Sequence, residues 1–286
     1  MTGGMYLEKR YAVVGNPIAQ SRSPEIHLAF AAQFGDVIEY TKHLVTLDGF
    51  GAHAQAFAAA GGCGLNVTVP FKTHAFKFVD ECDDAAAAAG SVNTILFQPD
   101  GGSRGCNTDG VGLLNDIKYR HGVDLTGASV LLLGAGGAAA GVVLPLLNSG
   151  VAQLMIANRS KDKALALVAK FETIFAQKGV LSALGLDEIP SKADVIINAT
   201  SFSLTGGSVP LKPSVVQGAF CYDMSYGKSA EFCRWASANA AKYSVDGLGM
   251  LVEQAAEAYW LWHAKRPNTE AVMTQLKRLM AAPEHG

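Results

Sequence analysis

The sequence is short of several things that would each point to a different class of protein. Positive charge is not in excess: 23 Lys and Arg stand against 25 Asp and Glu, a formal net charge of −2 over 286 residues. So even a balance gives no electrostatic ground for nucleic acid or an anionic membrane as partner. No apolar run reaches the roughly 18 residues of a membrane span. The opening Met1-Thr2-Gly3-Gly4-Met5 lacks the basic and apolar regions of a secretory signal. The five cysteines, Cys63, Cys82, Cys106, Cys221 and Cys233, are odd in number and show no Cys-x-x-Cys or Cys/His spacing suited to zinc. Repeats, charge blocks and low-complexity linkers are missing too. The expectation is a cytoplasmic protein with reduced, buried thiols and no metal site.

What is present is an alternation of strand-like and helix-like segments from start to finish, which argues for an α/β protein with largely parallel sheets. The length favours two domains over one. Strands are expected at 11–15, 65–69, 92–97, 129–133, 153–157, 194–199 and 219–224, with a hairpin turn at Gln98-Pro99-Asp100-Gly101-Gly102. Helices are expected at 24–34 and 109–119, and two more between Gly247 and Met280, broken at Arg266-Pro267-Asn268. His27 and His263 fall in amphipathic helical patterns and read as packed residues without a catalytic role.

Residues 129–141, Ser-Val-Leu-Leu-Leu-Gly-Ala-Gly-Gly-Ala-Ala-Ala-Gly, read as a buried strand entering a glycine turn and a helix start. Gly134 and Gly136 allow a tight turn that can approach a pyrophosphate, Ala139 allows close helix–strand packing, and the helix N–H groups face the anion. The next strand ends in Asn158-Arg159-Ser160-Lys161. An NAD-selective site usually carries an acid there for the ribose hydroxyls. Arg159 and Lys161 instead offer positive charge where the 2′-phosphate of NADP would lie.

Three polar islands precede that turn. Ser21-Arg22-Ser23-Pro24 opens a helix and could hold a carboxylate beside free backbone donors. Asn66-Val67-Thr68-Val69-Pro70-Phe71-Lys72 puts Asn66 and Thr68 on one strand face, with Lys72 just beyond. Asn93-Thr94 and Asn107-Thr108-Asp109-Gly110 bring amides and a carboxylate to the ends of adjacent strands, where open α/β sheets bind ligands. Together they suit a polyhydroxylated, carboxylated small molecule, since each hydroxyl needs a donor and an acceptor. An NADP site beside an alcohol site implies redox chemistry at that alcohol.

With these residues in place, the chain resembles the shikimate dehydrogenase family over nearly its full length. The shared islands are Gly15-Asn16-Pro17, Ser21-Arg22-Ser23-Pro24, Asn66 to Lys72, Val92-Asn93-Thr94, Asn107 to Gly110, the turn at 134–138, Asn158-Arg159-Ser160, Ile197 to Thr200 and Asp246 to Leu251. The resemblance implies a substrate domain at 1–108, a Rossmann-like NADP domain at 109–246, and helices at 247–286 returning to the substrate domain. It further implies reversible NADPH-dependent reduction of 3-dehydroshikimate to shikimate, a step of aromatic amino-acid biosynthesis, in a cleft able to close.

By the same resemblance Lys72 is the catalytic acid/base, paired with Asp109. Ser21, Ser23, Asn66, Thr68, Asn93, Tyr226 and Gln254 bind substrate. Gly134, Ala135, Gly136, Gly137, Ala138, Asn158, Arg159, Ser160, Lys161, Lys163, Thr200, Met224 and Gly247 surround NADP. The chain departs from the family pattern at Ser201-Phe202-Ser203-Leu204, at Ser160, and at Gly227-Lys228-Ser229-Ala230. Three questions stay open at this level: a quinate/shikimate enzyme with relaxed substrate or cofactor choice, a non-catalytic NADP- or ligand-binding protein on the same scaffold, and a homodimer.

Overall fold

The computed structural model describes residues 9–175, 179–200 and 211–281. The chain divides into two compact units, 1–108 with 255–286, and 109–254.

In the first unit, chain order runs β1 (Lys9–Gly15), α1 (Ser23–Phe34), β2 (Ile38–Leu44), α2 (Phe50–Ala59), β3 (Gly62–Val67), α3 (Lys72–Phe78), β4 (Glu81–Cys82), α4 (Asp84–Ala89), β5 (Thr94–Phe97) and β6 (Ser103–Cys106). The sheet order is β2-β1-β3-β5-β6-β4. Tyr11 to Val14 are almost wholly buried, as expected of a strand covered on both faces. β1 pairs in parallel with β2 and β3, whereas β5 runs antiparallel to β3 and β6. The core gathers Ala12, Val14, Phe50, Leu65, Phe71 and Ile95, with the rings of Phe50 and Phe71 stacked at 5.6 Å. Each of the larger side chains among these contributes about 1.5–3 kcal/mol by leaving water.

The second unit contains α5 (Asp109–Asn115), β7 (Ser129–Leu133), α6 (Gly137–Asn148), β8 (Gln153–Ala157), α7 (Lys161–Glu172), β9 (Leu181–Leu184), β10 (Val195–Asn198), β11 (Phe220–Asp223), α8 (Glu231–Ala238) and β12 (Tyr243–Asp246). Its six strands are all parallel in the order β12-β11-β10-β7-β8-β9. Counted from β7, this is the doubly wound order 3-2-1-4-5-6, whose ligand crevice lies at the carboxyl ends of the strands where the order reverses. The chain closes with α9 (Leu248–His263) and α10 (Thr269–Ala281). The division between the units falls after Gln254, inside α9; the boundary expected from sequence lies at 246/247. No helix among the described residues is long and apolar enough to cross a membrane.

The structure differs from the sequence expectations at several edges. β3 starts at Gly62 and stops at Val67, because the chain turns at Thr68, whose carbonyl accepts the N–H of Phe71 at 2.9 Å. Thr68 therefore lies one residue beyond the end of β3, with its N–H still donating to the Val14 carbonyl of β1 at 2.9 Å. The helix expected over 109–119 is α-helical only to Asn115, after which Asp116–Arg120 forms a wider π turn. β2 and α2 were not anticipated: β2 alternates Ile38, Tyr40 and Lys42 with Glu39 and Thr41, too polar a stretch to stand out, and α2 is mostly alanine and glycine between its phenylalanines.

Asp116 is fully buried. Its carboxylate accepts from the Tyr222 hydroxyl at 2.7 Å and from Arg120 Nε at 2.9 Å. Tyr222 Oη in turn accepts the N–H of Met250 at 3.2 Å, near the start of α9. Gly112 lets α5 come close to α9, since an added Cβ would lie 2.7 Å from the Gln254 nitrogen and 2.9 Å from the Met250 carbonyl oxygen. Gly112→Ala is expected to destabilise the protein by about 1–3 kcal/mol, read as a lower urea midpoint with unchanged slope. An unaltered midpoint would show that the helices have room to separate.

Candidate active site

In the first unit the polar islands collect at the carboxyl ends of β1, β3 and β6. Asn66 ends up beside Thr94 because β3 and β5 pair in that register. The Asn66 amide donates to Thr94 Oγ1 at 3.1 Å, and Thr94 Oγ1 donates to Asn93 Oδ1 at 3.1 Å. Asn93 Oδ1 also accepts the backbone N–H of Thr108 at 2.9 Å, which fixes the residue that precedes Asp109. Asn66, Asn93, Thr94 and Thr108 are all buried, so their mutual bonds offset what desolvation would otherwise cost each of them.

Tyr40 belongs to this cluster. Its hydroxyl donates to Asn66 Oδ1 at 2.6 Å and meets Ser23 on its other side. Burial raises the phenol well above its ordinary pKa, so it stays a neutral donor. The Ser23 hydroxyl also accepts from Ser21 Oγ at 3.2 Å, so the serine pair and the amide run meet at one ring. Sequence reading missed Tyr40 because it missed β2, although the Ile38–Tyr40 alternation carries the signal. Lys72 opens α3, half-buried, and its carbonyl accepts the N–H of Val92 at 2.9 Å, tying it to the segment that bears Asn93 and leads into β5. Thr68, also half-buried, donates its N–H to the Val14 carbonyl at 2.9 Å.

Of the remaining substrate candidates, Asp109, Tyr226 and Gln254 lie in the second unit. Asp109 is buried at the start of α5. Gln254 donates to the Leu251 carbonyl at 2.8 Å, and Tyr226 precedes a short turn of 3-10 helix over Gly227–Ser229.

The second unit forms the nucleotide-like half. Gly134 takes φ +109°, and a Cβ there would press within 3.2 Å of the Ala199 carbonyl oxygen. Gly136 is the N-cap of α6 with no side-chain cap bond. A Cβ added at Gly136 or Gly137 would meet nothing within 4 Å. The helix therefore presents uncapped N–H donors to an open, side-chain-free cradle, with Ala135 leading into it and Ala138 exposed beside it. Ala139 is fully buried against the sheet. The donor set fits a dinucleotide pyrophosphate.

Around that cradle, Asn198 Oδ1 accepts from Thr200 N at 3.1 Å, and the Asn198 carbonyl accepts from Met224 N at 2.9 Å. Gly247 has no room for any side chain, because a Cβ would collide with the Met224 backbone carbonyl. Asn158 donates to the Ser160 carbonyl at 2.9 Å, shaping the turn that exposes Arg159, Ser160, Lys161 and Lys163. Lys161 does not stand alone there: its ammonium donates to Glu188 at 2.6 Å. Phe202 and its neighbours lie outside the described residues. Among the described residues no group of His, Cys, Asp or Glu is arranged to hold a metal ion.

Three family models match in chain order: the shikimate dehydrogenase substrate binding domain over residues 13–95, shikimate/quinate 5-dehydrogenase over 117–206, and the shikimate 5′-dehydrogenase C-terminal domain over 247–277. A relative from Bordetella avium, named shikimate dehydrogenase (NADP(+)), is 49% identical over 280 residues, covering 96% of this chain and 98% of its own. The chain belongs to the shikimate dehydrogenase family. Among solved structures, an Ael1 enzyme from Pseudomonas putida superimposes with a TM-score of 0.87 at 41% identity, covering 94% of this chain and 98% of that one. Shikimate 5-dehydrogenase from Thermus thermophilus, solved with NADP(H) and shikimate, gives 0.81 at 30% identity, covering 94% and 99%. In this shikimate dehydrogenase family member, the α/β fold and its two sheets are those of the relatives.

Beneath the amide cluster of this family member lies a ring stack. His27 is fully buried and stacks on Tyr40 at 4.5 Å, and Asn66 is the polar side chain beside its ring. Burial, reinforced by His263, pushes it down to about 3. An unfolded histidine titrates near 6.5, so between these values the unfolded chain binds a proton that the folded one refuses. This contribution to stability is complete above about pH 6.5 and is lost as pH falls toward 3, with a slope of about 1.4 kcal/mol per pH unit. Urea unfolding of wild type and His27→Phe between roughly pH 4 and 6 is expected to show that slope reduced by about this amount in the variant. Parallel pH profiles would mean His27 does not stay neutral in the folded state.

Proposed function

We propose that this chain catalyses the reversible NADPH-dependent reduction of 3-dehydroshikimate to shikimate in the cytoplasm, with Lys72 as proton carrier and Asp109 as its partner. The observation that carries the reading is the buried run of neutral amides and hydroxyls at Asn66, Thr94, Asn93 and Thr108, which ends at the residue before Asp109. A ring with several hydroxyls and a carboxylate is the ligand such a set recognises. The name carried by the 49%-identical relative supports the same substrate and coenzyme.

In this reading the hydroxyls of Ser21 and Ser23 bind the carboxylate, and Asn66, Thr68, Asn93, Tyr226 and Gln254 bind the ring hydroxyls. Tyr40 holds the Asn66 amide in one orientation. Gly134 to Ala138 receive the pyrophosphate, Asn158 to Lys163 the adenosine end, and Thr200, Met224 and Gly247 the nicotinamide end. The coenzyme, when bound, supplies the two-electron redox chemistry. Lys72 donates a proton to the ketone oxygen during reduction and accepts the hydroxyl proton in the reverse direction, while Asp109 orients both lysine and hydroxyl. The substrate unit is 1–108 with the C-terminal helices, and the coenzyme unit is the doubly wound sheet.

Mixing the purified protein with shikimate and NADP+ is expected to raise the absorbance of reduced nicotinamide, with quinate and NAD+ as weaker parallel arms. Folded protein without turnover in any arm would overturn the assignment. Lys72→Ala is expected to lower kcat by about 10²–10⁴ with a smaller change in KM; a loss of only a few-fold would remove Lys72 from proton transfer. Arg159→Ala is expected to weaken NADP+ binding by about 10- to 150-fold, for a charged hydrogen bond of roughly 1.5–3 kcal/mol, and to leave NAD+ little changed. Equal losses for both coenzymes would show that Arg159 does not read the 2′-phosphate.

A further inference from the structure

Glu188 lies beside the basic turn at the end of β8 and is used nowhere in the reading above. β8 and β9 are parallel neighbours whose ends pair Ala157 with Leu184, and the N–H of Asn158 donates to the Leu184 carbonyl at 3.2 Å. The chain leaving β9 therefore runs next to the turn that bears Arg159 and Lys161. Glu188 Oε1 accepts from Lys161 Nζ at 2.6 Å, and Oε2 accepts the N–H of Gly185 at 2.7 Å. The N–H of Glu188 also donates to the Gly185 carbonyl at 3.1 Å, so the carboxylate is anchored to its own turn. Lys161 and Gly185 hold the carboxyl below its usual range, so it is charged at neutral pH.

We propose that Glu188 is a specificity-setting residue that moderates the preference for NADP over NAD, by competing with the 2′-phosphate for Lys161 and placing a negative charge next to it. The proposal rests on the assignment of Asn158–Lys163 to the adenosine end of the coenzyme. NAD carries no phosphate at that position, so the carboxylate penalises only NADP. An NAD-selective site has an acid at the end of the second strand for the ribose hydroxyls; here the acid comes from the turn after the third strand and is partly neutralised by a lysine. Lys161 and Glu188 retain 44% and 42% side-chain exposure, so water screens the repulsion and the effect is modest.

The test is titration calorimetry of NADP+ and NAD+ on the full chain. Glu188→Gln keeps an oxygen for the Gly185 N–H and removes the charge. It is expected to tighten NADP+ binding by about 3- to 10-fold while NAD+ changes less than about two-fold. In a Lys161→Met background the same substitution is expected to give less than about half that gain, because the released lysine is missing. An unchanged or weakened NADP+ affinity, an equal gain for NAD+, or an undiminished gain without Lys161 would each overturn the proposal. Arg159→Ala, measured alongside, separates the two ideas. If it selectively weakens NADP+ while Glu188→Gln does nothing, only the role of Glu188 falls; if it weakens both coenzymes equally, the placement of the adenosine end falls and this proposal with it.

Discussion

The second unit depends on a carboxylate that has been taken wholly out of water. An ion buried like Asp116 costs several kcal/mol unless other groups replace its hydration. Arg120 and the Tyr222 hydroxyl do so, and in doing it they join the π turn after α5, the strand β11 and the start of α9. Tyr222 completes the connection by accepting the Met250 N–H, one of the donors that the first turn of a helix leaves unpaired. Asp109 and Gln254 are carried on the two helices held by this arrangement. Satisfying one buried charge thus helps to place them, and the missing Cβ at Gly112 and Gly249 gives the necessary clearance.

The first unit meets the same problem with neutral groups. Asn66, Thr94, Asn93 and Thr108 are buried, and each has a partner within the cluster. Such saturation fixes which end of each amide faces outward, an orientation that an isolated asparagine does not have. The stack of His27 on Tyr40 supports this through ring contact. Here burial and packing hold the donors, and no ion pair is involved.

Much of the architecture could be read from the chain. The apolar runs at 129–133 and 153–157 and the glycine turn between them declared a parallel sheet, and those two strands formed over the expected residues. The polar islands likewise stood out, because amides and hydroxyls at strand ends have little reason to be there as scaffold. What stayed hidden was of two kinds. β2 and α2 lacked strong periodicity, and with β2 went Tyr40, the ring that joins the serine pair to Asn66. The pairing of Lys161 with Glu188 was invisible because it connects turns of neighbouring strands 27 residues apart. Residue spacing reports one turn at a time, whereas charge compensation is decided across the sheet.

The neutrality of the Asn66–Asn93 cluster has a consequence for how the protein answers to its solvent. Amides and hydroxyls interact over the length of a hydrogen bond and release no counterions, so dissolved salt changes little within that cluster. The turn at Arg159, Lys161 and Lys163 carries exposed charge, which is substantially screened at a Debye length of about 8 Å under physiological ionic strength. The cluster and the turn therefore answer to different variables, and ionic strength acts on the turn while leaving the cluster nearly untouched.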